Sequence, residues 1–311
     1  MSVRMVPRRS PASVRGIRWT RHALQTGVVA FIASTLWVKA IGTPGSPSGE
    51  AFCPFGGFET FFTWVTTGRT VSHVHTANLV LAGAVVLLAL AARGAFCGWL
   101  CPFGAIQEAV HAAGQAVTDQ IPPLRRAHRR ISADARWLAR ADRVARFGRY
   151  VVLAWAVGGA AVTGVMVFRE YDPWSALLSV VEFEVTTAFV ILVAVLVMAL
   201  VVERPFCRYA CPLGAVIGIV GQASPVAVQR NASACIGCDL CNRGCPMGLA
   251  VHSATRVTDA QCIGCLECLA ACPSRDALAV TVSLPFPAIR DAAPTPVEDA
   301  PAIGTPQGVL R

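Results

Sequence analysis

Two cysteine runs near the C-terminus constrain this chain more than any other feature: Cys235-x2-Cys238-x2-Cys241-x3-Cys245-Pro246 and Cys262-x2-Cys265-x2-Cys268-x3-Cys272-Pro273. Four cysteines fall within eleven residues, and the arrangement then repeats. Structural zinc sites draw on separated C-x2-C pairs, whereas compact repeated runs suit iron-sulfur cubanes. Both runs open Cys-Ile-Gly-Cys. The glycine stands where the chain must curl for backbone N-H groups to point at cluster sulfurs.

The spacing is that of bacterial two-cluster ferredoxins, in which three cysteines hold one cubane and the fourth, before proline, reaches across to the other. On that pattern Cys235, Cys238, Cys241 and Cys272 hold one [4Fe-4S] cluster, and Cys262, Cys265, Cys268 and Cys245 hold the second. Strand-like stretches at Val226 to Gln229 and Leu278 to Val282 flank the runs, as expected of a small pseudo-symmetric α+β module.

The rest of the chain reads as membrane. Its 311 residues can hold two domains, and 54 % hydrophobic against 14 % charged residues points away from a purely soluble protein. Four apolar segments, about Ala23 to Ile41, Thr76 to Ala92, Tyr150 to Phe168 and Thr186 to Val202, are each at or near the length needed to cross a bilayer. The net charge of +9 comes almost wholly from arginine, with Lys39 the only lysine. Arginines gather before the first segment (Arg4 to Arg21) and between the second and third (Arg93 to Arg146). The positive-inside rule then puts both termini and the cluster module on the cytoplasmic side of a bacterial inner membrane, where thiolates stay reduced. Arg136, Arg140, Arg143 and Arg146 share one face of an amphipathic stretch suited to anionic lipid.

The expected organisation is a basic cytoplasmic N-terminus (1–22), then an all-α four-helix polytopic membrane domain built from a duplicated two-helix unit (23–222). A C-terminal α+β two-cluster ferredoxin domain (223–284) and a disordered tail (285–311) follow.

The duplication rests on a second set of cysteines. Ala95-Phe96-Cys97-Gly98-Trp99-Leu100-Cys101-Pro102-Phe103-Gly104 aligns without a gap to Pro205-Phe206-Cys207-Arg208-Tyr209-Ala210-Cys211-Pro212-Leu213-Gly214. Pseudo-symmetry would bring Cys97, Cys101, Cys207 and Cys211 together. They could hold a third iron-sulfur or other metal centre, or remain thiols for exchange or copper chemistry. A radical-SAM triad is excluded, since its third cysteine is replaced by Gly104 and Gly214. Cys53-Pro54-Phe55 occupies roughly the place of Asp172-Pro173-Trp174 in the other copy, which makes Cys53 a further candidate ligand.

Paired Phe-Cys-x3-Cys-Pro-x-Gly-Ala motifs followed by a two-cluster ferredoxin resemble the NapH, NosR and CcoG group of membrane-bound polyferredoxins, over about Ala23 to Ser283. In size and order of parts the chain follows the NapH type. The resemblance implies an electron-transfer protein working between the quinone pool, or a cytoplasmic donor, and a partner reductase, as a quinol dehydrogenase-type component. Two rivals stand beside it: a CcoG-like copper-reducing assembly factor, and a membrane anchor that wires a soluble reductase. Unlike NosR, the chain has no flavin-attachment Ser-Gly-Ala-Thr.

Several chemistries are absent from the sequence. None of the six histidines lies mid-segment and no C-x-x-C-H occurs, so haem is not expected. No Walker loop or dinucleotide fingerprint appears, and the basic stretches carry no nucleic-acid motif. The catalytic groups are not identifiable. His73, His75, Glu59 and Asp172 are candidates for handling quinol protons, and Phe55, Phe58, Phe61, Phe62 and Trp64 for lining a quinone pocket.

Overall fold

A computed structural model describes residues 4–5, 11–40, 54–68, 76–123, 135–178, 186–274 and 276–283. Cys53, His73, His75 and the expected disordered tail lie outside these residues. The helical part comprises α1 (Pro11–Ala40), α2 (Pro54–Thr67), α3 (Thr76–Ala92), α4 (Pro102–Gln120), α5 (Ala135–Ala145), α6 (Gly148–Thr163), α7 (Pro173–Leu178), α8 (Thr187–Ala199), α9 (Pro205–Tyr209) and α10 (Pro212–Gly221). The C-terminal part adds β2 (Val226–Arg230), α11 (Leu240–Arg243), β3 (Arg256–Val257), α12 (Glu267–Ala271) and β4 (Leu278–Val282), with β1 (Arg4–Met5) contributed by the N-terminus.

The four-helix membrane domain is not what forms. Among the described residues no helix is long and apolar enough to cross a membrane. The reason lies in where the helices stop. Helix α3 has 17 residues, about 25 Å at 1.5 Å per residue, against a hydrocarbon core of about 30 Å. The third apolar segment is cut at 16 residues by Gly164, whose left-handed φ of 72° ends α6. The fourth yields only the 13 residues of α8. Helix α1 is long, with 30 residues, but includes Arg18, Arg21, His22 and Gln25. Two of these, Arg21 and Gln25, are buried against protein.

The helices meet around Phe55, Phe103, Ala156, Phe168, Leu192 and Phe206. Edge-to-face pairs at 5.3 Å (Phe55 with Phe168) and 5.4 Å (Phe103 with Phe206) fix the packing. Alanines and glycines let backbones approach. A methyl group at Gly57 would overlap the Asn78 carbonyl, so α2 lies directly on α3.

The strands expected beside the cysteine runs form the middle of one antiparallel sheet of order β1-β4-β2-β3. Val228 stands opposite Val280 on one side and Val257 on the other. Val228, Met247, Leu249, Val251, Val257, Ile263, Leu269 and Leu278 bury a common core beneath it.

A polar hub joins the two parts. The Glu108 carboxylate on α4 accepts from Arg204 Nε at 2.8 Å and Gln25 Nε2 at 3.2 Å, and from Arg21 Nη2. Arg21 also donates to Glu267 on α12 at 2.9 Å and to the Gly98 carbonyl at 2.9 Å. Arg204 donates to the Cys97 carbonyl at 2.6 Å. Burial pushes the Glu108 carboxyl up, but Arg204 and Arg21 beside it bring it below the usual range.

Arg204 is fully buried, so removing its carboxylate leaves an uncompensated charge. Glu108→Ala is expected to cost about 3–5 kcal/mol, read as a lower midpoint in denaturant unfolding, with Glu108→Gln retaining part of the loss. An unchanged midpoint in the alanine variant would show that the hub is dispensable.

Candidate metal centres

The C-terminal loops gather their cysteines into two groups. One small cavity is lined by Cys235, Cys238, Cys241 and Cys272, together with Arg230, Asp239 and His252. A second is lined by Cys245, Cys262, Cys265 and Cys268 within an apolar wall of Val228, Met247, Leu249 and Val251. The backbone that curls around them repeats. Gly237 and Gly264 take φ of 74° and 60°, and Asp239 and Leu266, two residues further on, take 56° and 62°. A glycine adopts this region without strain, whereas the two side-chain-bearing residues do so against a steric cost.

The two sites differ in exposure. Cys238 is exposed, and the Gly237 N-H lowers the Cys235 thiol below its ordinary range. Burial pushes Cys265 up to about 12 against the opposing Arg21, and raises Cys268 as well. Among the described residues no group of three or more His, Cys, Asp or Glu is placed to hold a single metal ion. Four thiols spread around a cavity suit a cluster, in which each ligates its own iron, better than one zinc ion.

The duplicated motif forms the same structure twice. Cys101 caps α4, its sulfur accepting from Gly104 N at 3.4 Å, with Pro102 at the first helical position. Cys211 caps α10 in the same way, accepting from Gly214 N at 3.3 Å ahead of Pro212. Proline fits there because that N-H has no helical partner, and the helix N-terminus favours a thiolate. The Cys101 and Cys211 amides donate to the Phe96 and Phe206 carbonyls, both at 2.9 Å, closing the turns that contain Cys97 and Cys207. The first of these turns is a π-helical segment, Phe96–Leu100.

The four thiols converge in a buried place. Cys97 is raised first by burial, then by Cys101 and Cys207; Cys211 is raised by burial, then by Cys207 and Cys97. Burial also raises Cys101, and takes Cys207 to about 12. Arg204 opposes the rise at Cys97, Cys101 and Cys207, and Arg149 at Cys97. Gln107 adds an amide donor 3.6 Å from the Cys207 sulfur while its own oxygen accepts from Phe206 N at 3.1 Å. Gln107, Arg204, Arg149 and Arg93 were not singled out as site residues, because next to the cysteine motifs each reads as an ordinary polar flank and only its burial reveals it.

These thiols lie between the second cysteine cavity and a larger apolar one. Cys97 and Cys207 pack against the core that surrounds Cys245, Cys262 and Cys265. The fit is close: Trp99 Nε1 donates to the Gly264 carbonyl at 3.1 Å, and a methyl at Gly94 would come within 2.6 Å of the Cys262 carbonyl. On the other side Cys101, Cys207 and Cys211 line a cavity of about 320 Å³ walled by Phe55, Phe96, Phe103, Phe168, Trp174 and Phe206. Asp172 is the one charged residue among the described residues that line it. Phe58, Phe61, Phe62 and Trp64 do not line it, and Phe61, Phe62 and Trp64 are exposed.

Comparison with known proteins follows the same partition. The family model described as a 4Fe-4S binding domain matches residues 74–118 and again 185–230, one match over each copy of the duplicated motif. The 4Fe-4S dicluster domain model matches residues 227–273. YccM of Escherichia coli strain K12 is 31 % identical over 243 residues, covering 73 % of this chain and 64 % of that protein. Protein NirI of Paracoccus denitrificans is 30 % identical over 238 residues, 75 % of this chain and 32 % of NirI. The ferredoxin-type protein NapH of E. coli is 33 % identical over 175 residues, 55 % of this chain and 54 % of NapH. The chain thus spans less than two thirds of the length of each of these relatives. No solved structure matches it significantly.

The raised, buried thiols set an order of reactivity, because the thiolate is the nucleophile. Metal-free protein treated briefly with iodoacetamide near pH 8 should be alkylated first at Cys235 and Cys238, and last at Cys97, Cys101, Cys207 and Cys211, as read by peptide mass spectrometry. Early labelling of the last four would contradict their burial.

Proposed function

We propose that this chain, a NapH- and NosR-like ferredoxin-type protein, is an iron-sulfur electron-transfer protein whose three cysteine groups form one relay between a quinone-class carrier and a redox partner protein. In this reading Cys235, Cys238, Cys241 and Cys272 hold one [4Fe-4S] cluster, and Cys245, Cys262, Cys265 and Cys268 the second. Cys97, Cys101, Cys207 and Cys211 hold a third centre. Such clusters supply one-electron exchange when bound.

The observation that carries the reading is the position of Cys207, which packs against the core of the second cysteine cavity and also lines the apolar cavity. A thiolate there touches both ends of the required path. The apolar cavity, at about 320 Å³ with aromatic walls and a single carboxylate, has the size and lining of a site for an aromatic ring with few polar groups. Arg204 and Arg149 supply positive charge where four thiolates would otherwise repel one another. Exposed Cys238, beside the first cavity, marks the side open to a protein partner.

The same reading sets the protein against the bacterial inner membrane, its C-terminal part on the cytoplasmic side where thiolates stay reduced. Outward-facing Val80, Leu87, Val162 and Val190, each more than half exposed, support contact with lipid.

Anaerobically purified protein should contain about twelve irons per chain if all three centres are cubanes, against about eight for the C-terminal pair alone. The double variant Cys97→Ser/Cys207→Ser should lose about four irons and its reduction by a soluble quinol, while keeping the electron paramagnetic resonance signals of the C-terminal clusters. An unchanged iron content in that variant removes the third centre from the relay.

A further inference from the structure

Two buried carboxylates, Glu59 on α2 and Asp172 in the wall of the apolar cavity, lie within electrostatic reach of each other. Glu59 on α2 is fully buried, and neither of its oxygens has a hydrogen-bond partner among the described residues. Buried polar residues on the same and the adjacent helix are Thr60 and Thr63 on α2 and Asn78 on α3, and among the described residues the charged group that acts on Glu59 is Asp172. Asp172 is buried too, at the wall of the cavity, where its Oδ1 caps α7 by accepting from Trp174 N at 3.0 Å. Ser175 contributes a further hydrogen bond. Arg169 and Glu170, on the preceding turn, are exposed.

Two like charges in a low-dielectric setting do not both ionise, so the pair titrates as a unit. Burial, then Asp172, pushes the Glu59 carboxyl up to about 8; burial pushes Asp172 up to about 7 despite its backbone donors. At neutral pH the pair therefore holds a proton. An unpartnered, fully buried carboxylate costs stability, and no hydrogen bond among the described residues offsets it at Glu59.

We propose that Glu59 and Asp172 are the proton-holding pair of the cavity, with Asp172 exchanging a proton with a hydroquinone-class occupant and Glu59 holding it behind the wall. Oxidation of the hydroquinone breaks two O-H bonds, releasing two protons and two electrons. The electrons leave singly to an acceptor of the iron-sulfur class. Each proton passes in turn to an Asp172 oxygen, and from there to Glu59 or outward, so that the carrier departs as neutral quinone. This rests on the cavity being a quinone site, as proposed above.

Infrared spectroscopy of the purified holoprotein tests the pair directly. A protonated carboxyl stretch, shifted in deuterium oxide, should be present at pH 6 and decline between about pH 7 and 8, and should be diminished in both Glu59→Gln and Asp172→Asn, substitutions that preserve shape. A soluble quinone analogue should quench Trp174 emission in the wild type and in Glu59→Gln, whose side chain does not line the cavity. Reduction of the protein by the matching quinol should fall by ~100-fold in Asp172→Asn, and lose its pH dependence in Glu59→Gln. Analogue binding without any titrating carboxyl in the wild type overturns the pair. Absence of analogue quenching, with the carboxyl stretch present, overturns the quinone-site reading instead, and the two failures are thereby distinguished.

Discussion

The contact between Glu108 and its two arginines is the constraint on which the rest of the arrangement depends. A carboxylate on α4 binds Arg204, which precedes α9, and Arg21 on α1, while Arg21 continues to Glu267 beside the second cysteine run. Four separate segments are thereby held at one place, and Arg204 reaches the carbonyl of Cys97 within it. Buried ion pairs of this kind seldom add much net stability, because desolvation offsets attraction. Their value is geometric: alternative packings leave a charge buried and unpaired. The hub therefore specifies where the duplicated cysteine turns lie relative to the C-terminal loops.

Close backbone approach does the rest. Gly94, Gly98 and Gly218 sit where any side chain would run into the Cys262 carbonyl, the Ile263 carbonyl or the Ala260 carbonyl. The second cysteine run and the residues just before it thus come close to the backbone of both copies, at Gly94 and Gly98 of the first and Gly218 of the second. Electron exchange falls steeply with separation, so a fold that spends three glycines on this contact favours the relay reading over a mere anchor. The arginines complement it. Arg93, Arg149 and Arg204 are buried among the cysteine groups, where positive charge favours thiolates.

Much of the candidate site was legible because its signals are local. Cysteine spacing implied two groups of four, and the ungapped duplication brought Cys97, Cys101, Cys207 and Cys211 into one place, as their mutual coupling reflects. The strands at β2 and β4 were legible from short β-branched runs beside the cysteines. The membrane domain was not, and the cause is specific. Hydropathy measures transfer preference summed over a segment; it does not report where a helix ends. Gly164 ends one apolar helix, and α8 stops short of Glu203. The partners of the arginines were not legible either. Arg21 and Arg93 count in sequence as loop charges facing water, yet both are buried and hydrogen-bonded across the fold. A charged residue with a distant partner cannot be told from a solvated one without the partner's position.

The duplication also explains why the apolar cavity is lopsided. Its walls come from both copies: Pro54 and Phe55 from one, Asp172 and Trp174 from the other, with Cys101 and Cys211, the matching helix caps, also in the lining. Where one copy has Cys53 before its proline, the other has Asp172. Asp172 is thereby the one carboxylate among the described residues that line the cavity. In the proposed relay, the thiols in that lining serve the electrons, and Asp172 with Glu59 the protons.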